Sequence, residues 1–200
     1  MNRAAGKCRT FEEVLVEQSA PTLARIKPAN LFRYQPADLR AESTERALQK
    51  LPALERLLGT KGISVRVLKR CVRTDALLIL VYRELALEGI LSDAGNRRFL
   101  KRRGYSPELG LSGFLEELSG RLCAEEGFPH EIGLLLGYPL EDVKGFIENR
   151  GQNCAGCYCW KSYSDPEAAR RSTRLYRKCA EIYRRCFACG FPLGRLAVAA

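Results

Sequence analysis

The chain has 200 residues, 46% of them apolar and 28% charged, and 33 Lys and Arg residues against 23 Asp and Glu residues give a formal net charge of +10. These values are typical of an ordinary globular protein, and we expect one domain over residues 1–200 with about the first ten residues loosely held. The longest apolar run, 76–82, excludes a bilayer-spanning helix, which needs about 20 such residues. The charge favours anionic partners such as nucleic acid, phosphorylated ligands or acidic proteins.

The N-terminal segment, MNRAAGKCRT, carries positive charge with no apolar stretch behind it. We therefore expect neither a secretory nor a lipoprotein signal, and we expect the protein in the cytoplasm. Nine cysteines are many for that reducing compartment, where cysteines serve as small buried residues, metal ligands or redox thiols. Their odd number also argues against a fully paired set of disulfides.

The first predicted element is a helix over about 11–18. Thr10 and Glu13 have the spacing of a capping box, in which each side chain bonds the backbone of the other residue. Ala20 and Pro21 end this helix in the prediction, and a second short helix is expected at 22–26.

The next predicted elements are a short strand and a long helix. NLFRY at 30–34 is typical of a strand. Residues 37–58 favour helix, with Pro52 either interrupting it or starting another one. Gly59 and Gly62 mark its end.

The clearest sheet signal is a hairpin over about 63–82. Ile63, Val65 and Val67 alternate with polar residues, which predicts a strand with one wetter face. ALLILVY at 76–82 is apolar on both faces and predicts a central strand. The two strands are close enough in sequence to pair directly.

The second half of the chain is mainly helical, apart from CYCWKSY at 157–163, whose alternation predicts a further strand. Asp165 and Pro166 favour the start of the last helix. The predicted helices cover about 84–89, 93–103, 112–126, a short pair within 128–151, and 166–187. We therefore predict an α+β fold, with a small mixed or antiparallel sheet covered by several helices.

The short helix pair also holds the chain's single histidine, in the segment FPHEIGLLLGYPLEDVKGFI at 128–147. This segment resembles the FPHEIGxxLGYPxxDVxGFI signature of an uncharacterised bacterial family, seen mainly in clostridial-type anaerobes and described only as a domain of unknown function. The resemblance spans essentially the whole chain and implies a small, soluble, single-domain protein, with no particular reaction. Other fitting segments are APTLARIKPANLFR at 20–33, LVYR at 80–83, WKSY at 160–163 and LAVAA at 196–200.

Two cysteine pairs, Cys154 with Cys157 and Cys186 with Cys189, have the spacing of metal-binding knuckles, and Cys159 and Cys179 are alternative ligands. Two thiolates separated by two residues chelate one tetrahedral ion, so zinc or an iron–sulfur cluster is the cofactor that this interpretation implies. The alternative is that the cysteines are ordinary buried or incidental residues, because a whole helix separates the two pairs.

A ligand-binding site is a further hypothesis, placed where the 128–147 helix pair meets the Cys-rich 154–163 segment. Its candidate residues are His130, Glu131, Tyr138 and Trp160, because aromatic rings and a histidine commonly line ligand pockets. An enzyme with a Cys–His site is an alternative, although no catalytic residue is singled out. The alternative of structural packing also stays open, since strands pack on helices with the same residue types.

A nucleic-acid-binding protein is the remaining alternative. Residues 131–150 have the rhythm of a helix-turn-helix, and the last helix is rich in Arg. Glu141, Asp142 and Glu148 argue against it, because acidic side chains on a recognition helix repel phosphates.

Overall fold

The structure, a computed structural model, describes residues 9–36, 43–124 and 127–199. Most of the predicted loose N-terminal segment, the start of the predicted 37–58 helix and the last two residues of the predicted 112–126 helix lie outside those ranges. The α+β fold class is confirmed: a three-stranded antiparallel sheet lies between two groups of helices, and a separate two-stranded sheet follows later in the chain.

The strands of the described residues are β1 (Ala29–Tyr34), β2 (Ile63–Arg70), β3 (Leu77–Arg83), β4 (Gly156–Cys157) and β5 (Lys161–Ser162). The helices are α1 (Phe11–Leu23), α2 (Thr44–Gly59), α3 (Glu84–Ser92), α4 (Ala94–Arg102), α5 (Gly110–Cys123), α6 (Ile132–Leu135), α7 (Leu140–Glu148), α8 (Pro166–Ala188) and α9 (Leu193–Leu196). A 3-10 turn at Pro107–Leu109 precedes α5.

The main sheet has the order β1-β3-β2, so β3 is the central strand, as predicted. Because side chains alternate across a strand, β3 supplies both cores of the protein. Ile79 and Val81 face a core made with α1, α2 and the C-terminal segment. Leu80 and Tyr82 face a second core made with α3 to α7.

Helix α1 begins at the predicted capping box, where Thr10 and Glu13 bond each other's backbone N–H groups. The helix passes through Pro21 and ends at Leu23, so the predicted separate helix at 22–26 does not form. The physical reason is burial. Every residue from Ser19 to Leu23 is buried, and this packing outweighs the local cost of the proline.

Helix α2 likewise continues through Pro52. It begins after Ser43, whose hydroxyl caps the helix by accepting a hydrogen bond from the Arg46 N–H. Leu51, Leu54 and Leu58 are buried on one side of the helix, so tertiary packing again keeps a proline-containing helix intact.

Two short strands, β4 and β5, replace the single strand predicted at 157–163. Strands β4 and β5 pair with each other as a small hairpin, apart from the main sheet. The Asp142 carboxylate of α7 accepts hydrogen bonds from the Trp160 ring and from the Tyr163 N–H. Those bonds tie the returning half of the segment to α7, so the chain turns back instead of extending.

The C-terminal helix α8 starts at Pro166 with Asp165 as its cap, as predicted. It packs against α1 on the side of the first core. In the part of the chain that the structure describes, no helix is long and apolar enough to cross a bilayer.

Candidate functional site: an aromatic cleft

A cleft of about 200 Å³ lies where α6 and α7 meet the β4–β5 hairpin. We call it the aromatic cleft. Its apolar lining comes mainly from Phe128, Ile132, Tyr138, Val143, Phe146 and Trp160. Its polar lining comes from His130, Asp142, Cys159 and Lys161. The predicted ligand residues His130, Tyr138 and Trp160 thus share one cavity.

The turn between α6 and α7 positions the wall of this cleft. Gly137 adopts a left-handed backbone conformation, with φ of 78°, and a Cβ there would lie 2.8 Å from the ring of Pro28. The Tyr138 N–H closes the turn by donating to the Gly133 carbonyl at 3.0 Å. Glycine is therefore required both for the backbone conformation and for the close approach to Pro28.

Tyr138 and Trp160 form the stacked pair of the cleft. Their ring centroids are 4.8 Å apart, with an interplanar angle of 20°. Trp160 is the only tryptophan of the chain. Its indole N–H donates to Asp142 Oδ2 at 2.6 Å, which fixes the plane of the ring.

Asp142, on α7, accepts the hydrogen bonds that hold the hairpin against this helix, and it is 2% exposed. Its Oδ1 accepts hydrogen bonds from the backbone N–H groups of Tyr163 and Ser164, both at 2.7 Å, and from the Ser164 hydroxyl at 2.8 Å. Burial by itself raises the pKa of this carboxyl group, but the hydrogen bonds from Trp160, Tyr163 and Ser164 outweigh burial and lower the pKa below its ordinary value. Asp142 is thus a charged, internally satisfied anchor.

His130 lies between two aromatic rings at the mouth of the cleft. Its ring centroid is 4.6 Å from that of Phe146 and 5.7 Å from that of Phe128. The neighbouring Glu131 lies outside the lining of the cleft: it is buried and accepts a hydrogen bond from Arg103 Nε at 2.5 Å. Of the two adjacent predicted residues, only His130 is therefore placed to meet a ligand in this cavity.

Cys159 gives the cleft an accessible thiol. The residue is exposed, and its sulfur accepts a hydrogen bond from the Thr173 hydroxyl of α8 at 3.1 Å. The same hydroxyl accepts from the Cys159 N–H at 3.2 Å. Thr173 is buried, so α8 holds this cysteine in place.

A buried lysine lies behind the stacked pair. Lys27 Nζ is 5.4 Å from the ring centroid of Tyr138 and 5.5 Å from that of Tyr176, which places the ammonium group between two aromatic faces. Burial lowers the pKa of Lys27 to about 8, and the neighbouring Cys159 sulfur opposes that shift. Burial also raises the pKa of Tyr138.

The four predicted metal ligands are not gathered around one point. Among the described residues, no group of three or more His, Cys, Asp or Glu side chains is placed to hold a metal ion. Cys154 and Cys157 lie in the hairpin region, Cys186 packs against the first core, and Cys189 is exposed after α8. The zinc or iron–sulfur hypothesis therefore gains no support from the geometry.

The helix pair at 131–150 shares with a DNA-binding helix-turn-helix only the order of its elements, a helix, a turn and a second helix. Helix α6 is a single turn of four residues and is buried throughout. On α7, Val143 is buried, and Lys144 pairs with Glu141 at 2.9 Å. On α8, Arg170 and Arg185 pair with acids of the same helix, which reduces the net charge of its outer side.

Two chemically relevant residues of this region, Lys27 and Asp142, were not among the predicted site residues, and Cys159 was predicted only as an alternative metal ligand. Asp142 and Lys27 could have been found from the resemblance, because they fall within the segments 128–147 and 20–33. Cys159 is one of several closely spaced cysteines, and only the contact with Thr173 distinguishes it.

The fold and the site define an α+β protein with helices on both faces of a small antiparallel sheet and an aromatic cleft beside it. A family model described as "Protein of unknown function (DUF3793)" matches residues 15–197. The chain belongs to this family. No curated protein and no solved structure matches the chain.

Proposed function

We propose that the protein binds a small, planar, largely apolar molecule in the aromatic cleft. The observation that carries this proposal is the shared lining of four aromatic side chains and one histidine around a single cavity. Ligand sites are typically concave and apolar with a few polar groups, and this cleft has that character.

The volume and the charges of the cleft restrict the ligand. At about 200 Å³ the cleft is smaller than the roughly 300–1,000 Å³ of ordinary ligand sites, so a molecule of one or two rings is the best match. Asp142 is saturated by its own hydrogen bonds, which leaves the Cys159 thiol and two stronger donors, His130 and Lys161, as the polar groups for a ligand. Both can donate hydrogen bonds, so we expect an acceptor or anionic substituent on the ring.

Trp160 makes the proposal directly testable, because the only tryptophan of the chain lines the cleft. We would titrate the protein with one- and two-ring aromatic carboxylates and heterocycles, and follow tryptophan emission. Saturable quenching supports the proposal. An emission that no member of the panel changes, together with unchanged thermal stability, contradicts it.

A matched pair of variants separates the cleft from the rest of the surface. Phe128 lines the cleft and is 48% exposed, whereas Phe191 is 47% exposed and lies outside that lining. Phe128→Ala should weaken binding about fivefold, since one ring contact is worth about 1 kcal/mol. Phe191→Ala should leave the affinity unchanged, and equal loss in both variants contradicts a specific site.

An enzyme with a thiol nucleophile is the second candidate function. The observation that favours it is that His130 and the exposed Cys159 line the same cavity. The test is the alkylation rate of Cys159 by iodoacetamide, with Cys157 as the control because it is exposed in the same hairpin but lies outside the lining. A faster reaction at Cys159, slowed by His130→Ala, supports thiol chemistry; equal rates contradict it.

A further inference from the structure

A second cavity, of about 500 Å³, lies where the loop after α1 meets the start of α3. We call it the basic cavity. Its charged lining consists of Arg25, Lys27, Arg83 and Glu84, so three basic side chains face one acidic side chain. Such an excess at a concave surface concentrates anions.

The first turn of α3 borders this cavity. Glu84, Leu85 and Ala86 are the first three residues of the helix, and all three line the cavity. The residue before them, Arg83, makes no side-chain capping hydrogen bond. The amide groups at the start of a helix have no partner within the helix and carry the positive end of its dipole, so they favour an anion.

Arg83 brings a positive charge into the protein interior, with 5% of its surface exposed. Its guanidinium donates to the carbonyls of Thr22 and Leu23 at the end of α1, and to the carbonyls of Lys61 and Val198. These bonds satisfy its donors without a full negative charge. Burial, and then the nearby Arg25, lower the pKa of Arg83, so the positive charge is disfavoured here.

Lys27 is the second buried cation of the cavity lining, with 7% of its surface exposed. Within the described ranges, no carboxylate forms an ion pair with its ammonium group. The one acid of the lining, Glu84, instead accepts a hydrogen bond from the Ser64 hydroxyl at 2.6 Å. Arg83 and Lys27 are thus two buried cations beside an acid that is bonded elsewhere, with the Lys27 ammonium set between the rings of Tyr138 and Tyr176. An anion in the cavity would offset the cost of burying the two charges.

We propose that the basic cavity binds a phosphate group. The amides at the start of α3 and the guanidinium of Arg25 supply the donors that phosphate oxygens accept in protein sites. Arg25 is exposed and lines the cavity, so its guanidinium is accessible to a bound group. The phosphate group belongs either to the free ion or to a small phosphate ester, and the two sources share this chemistry.

Calorimetric titration at constant ionic strength tests the proposal, with inorganic phosphate and phenyl phosphate as probes. We expect saturable binding of at least one probe, and tighter binding of phenyl phosphate identifies an ester as the ligand class. Arg25→Gln should weaken binding about tenfold, because a hydrogen bond to a charged group is worth about 1.5 kcal/mol or more. No binding of either probe up to about 10 mM overturns the proposal.

Two further variants separate the site from general charge effects. Arg150 is also an exposed arginine with a left-handed backbone, with φ of 50° against 63° for Arg25, and it lies outside the lining. Arg150→Gln should leave the affinity unchanged. Glu84→Gln removes the one acid and should strengthen binding, in the direction opposite to Arg25→Gln. Equal weakening by both arginine variants, or weakening by Glu84→Gln, contradicts the site.

The basic cavity and the aromatic cleft are tested independently. Phe128→Ala should not change phosphate affinity, because Phe128 is absent from the lining of the basic cavity. Failure of the aromatic titration therefore leaves the phosphate result standing, and the converse also holds.

Discussion

The aromatic cleft and the basic cavity differ in how their buried charges are compensated. In the cleft, Asp142 is buried but surrounded by donors from the hairpin, so its negative charge is stabilised by hydrogen bonds within the protein itself. In the basic cavity, Lys27 and Arg83 are buried without a carboxylate partner among the described residues. A satisfied charge serves the structure, whereas a charge without a counter-charge leaves a reason for a ligand to bind.

Asp142→Ala provides the strongest test of the cleft as a self-sufficient network. It leaves the Trp160 N–H and two backbone N–H groups without their acceptor, and we expect a loss of about 3 kcal/mol of unfolding free energy. Trp160 emission should shift to the red as the ring becomes wetter. Glu141→Ala, an exposed neighbour, is the control, and an unchanged spectrum in Asp142→Ala contradicts the anchoring role.

The contribution of Asp142 to stability has a predictable pH dependence. Its pKa is lower in the folded protein than the ordinary value of 3.8, so the folded state binds fewer protons than the unfolded state in acid. The stabilisation is therefore present above pH 3.8 and is lost as the pH falls from there through the folded pKa. Acid unfolding curves of the wild type and of Asp142→Asn should converge as the pH falls.

Lys27 should give a second pH dependence of the same sign, for the opposite reason: folding favours the charged form of Asp142 but disfavours the charged form of Lys27. Its folded pKa of about 8 lies below the ordinary 10.5, so the unfolded state binds more protons between these values. The unfolding free energy of the wild type should therefore rise with pH relative to Lys27→Met, by about 2 kcal/mol between about pH 8 and 10. Denaturant titrations at several pH values measure this difference, and a constant difference contradicts the unpaired cation.

Added phosphate sharpens the same comparison. If an anion occupies the basic cavity, it should reduce the pH dependence that Lys27 causes, because a negative charge nearby restores the ordinary pKa. A phosphate concentration series at about pH 9 measures the effect, with chloride at equal ionic strength as the control. The same dependence in both salts argues against occupation of the cavity.

The turn at Gly137 separates the two regions, since Pro28 lines the basic cavity and Tyr138 lines the cleft. Gly137→Ala should cost about 2 kcal/mol, from a left-handed backbone and from the clash with Pro28. Gly190 has a similar φ of 87°, and a Cβ added there would have nothing within 4 Å, so Gly190→Ala measures the backbone cost alone. Equal melting temperatures for the two variants would show that the contact with Pro28 contributes nothing.

The smallest effect is expected on α8, where the exposed Arg174 lies outside the linings of both regions. Arg174→Glu should change unfolding free energy by less than about 0.5 kcal/mol, since isolated surface charges contribute little.

Mobility shifts with DNA and RNA across a salt series test the nucleic-acid alternative. Binding at low salt that Arg174→Glu weakens would support it, and no binding at low salt would end it.

Much of the fold could be predicted from local patterns. The hairpin of β2 and β3 and the caps at Thr10 and Asp165 follow from alternation and from capping spacing, and the structure has all three. The errors at Pro21 and at 157–163 have a common cause. At Pro21 burial against distant segments outweighs the local preference, and at 157–163 hydrogen bonds to Asp142 do so. Neither cause can be deduced from the neighbouring residues in the sequence.

The residues of the candidate site also fall into those that the local sequence could identify and those that only tertiary contacts could identify. His130, Tyr138 and Trp160 could be chosen from the sequence because rare residue types lie close together, and the structure gathers them around one cavity. Glu131 could not be separated from His130, since only the salt bridge with Arg103, at the end of α4, shows where it points. Cys159 depends in the same way on Thr173, which lies on α8.

The sequence by itself determined the α+β class, the central strand and the family, because alternation, caps and motifs are local properties of the chain. Only the tertiary structure decided which charges are satisfied. The acceptor for Trp160 lies 18 residues away, and the carbonyls that bind Arg83 lie 22, 60 and 61 residues before it and 115 after it. Burial and charge pairing depend on contacts between distant segments, and those contacts separate a structural anchor from a binding site.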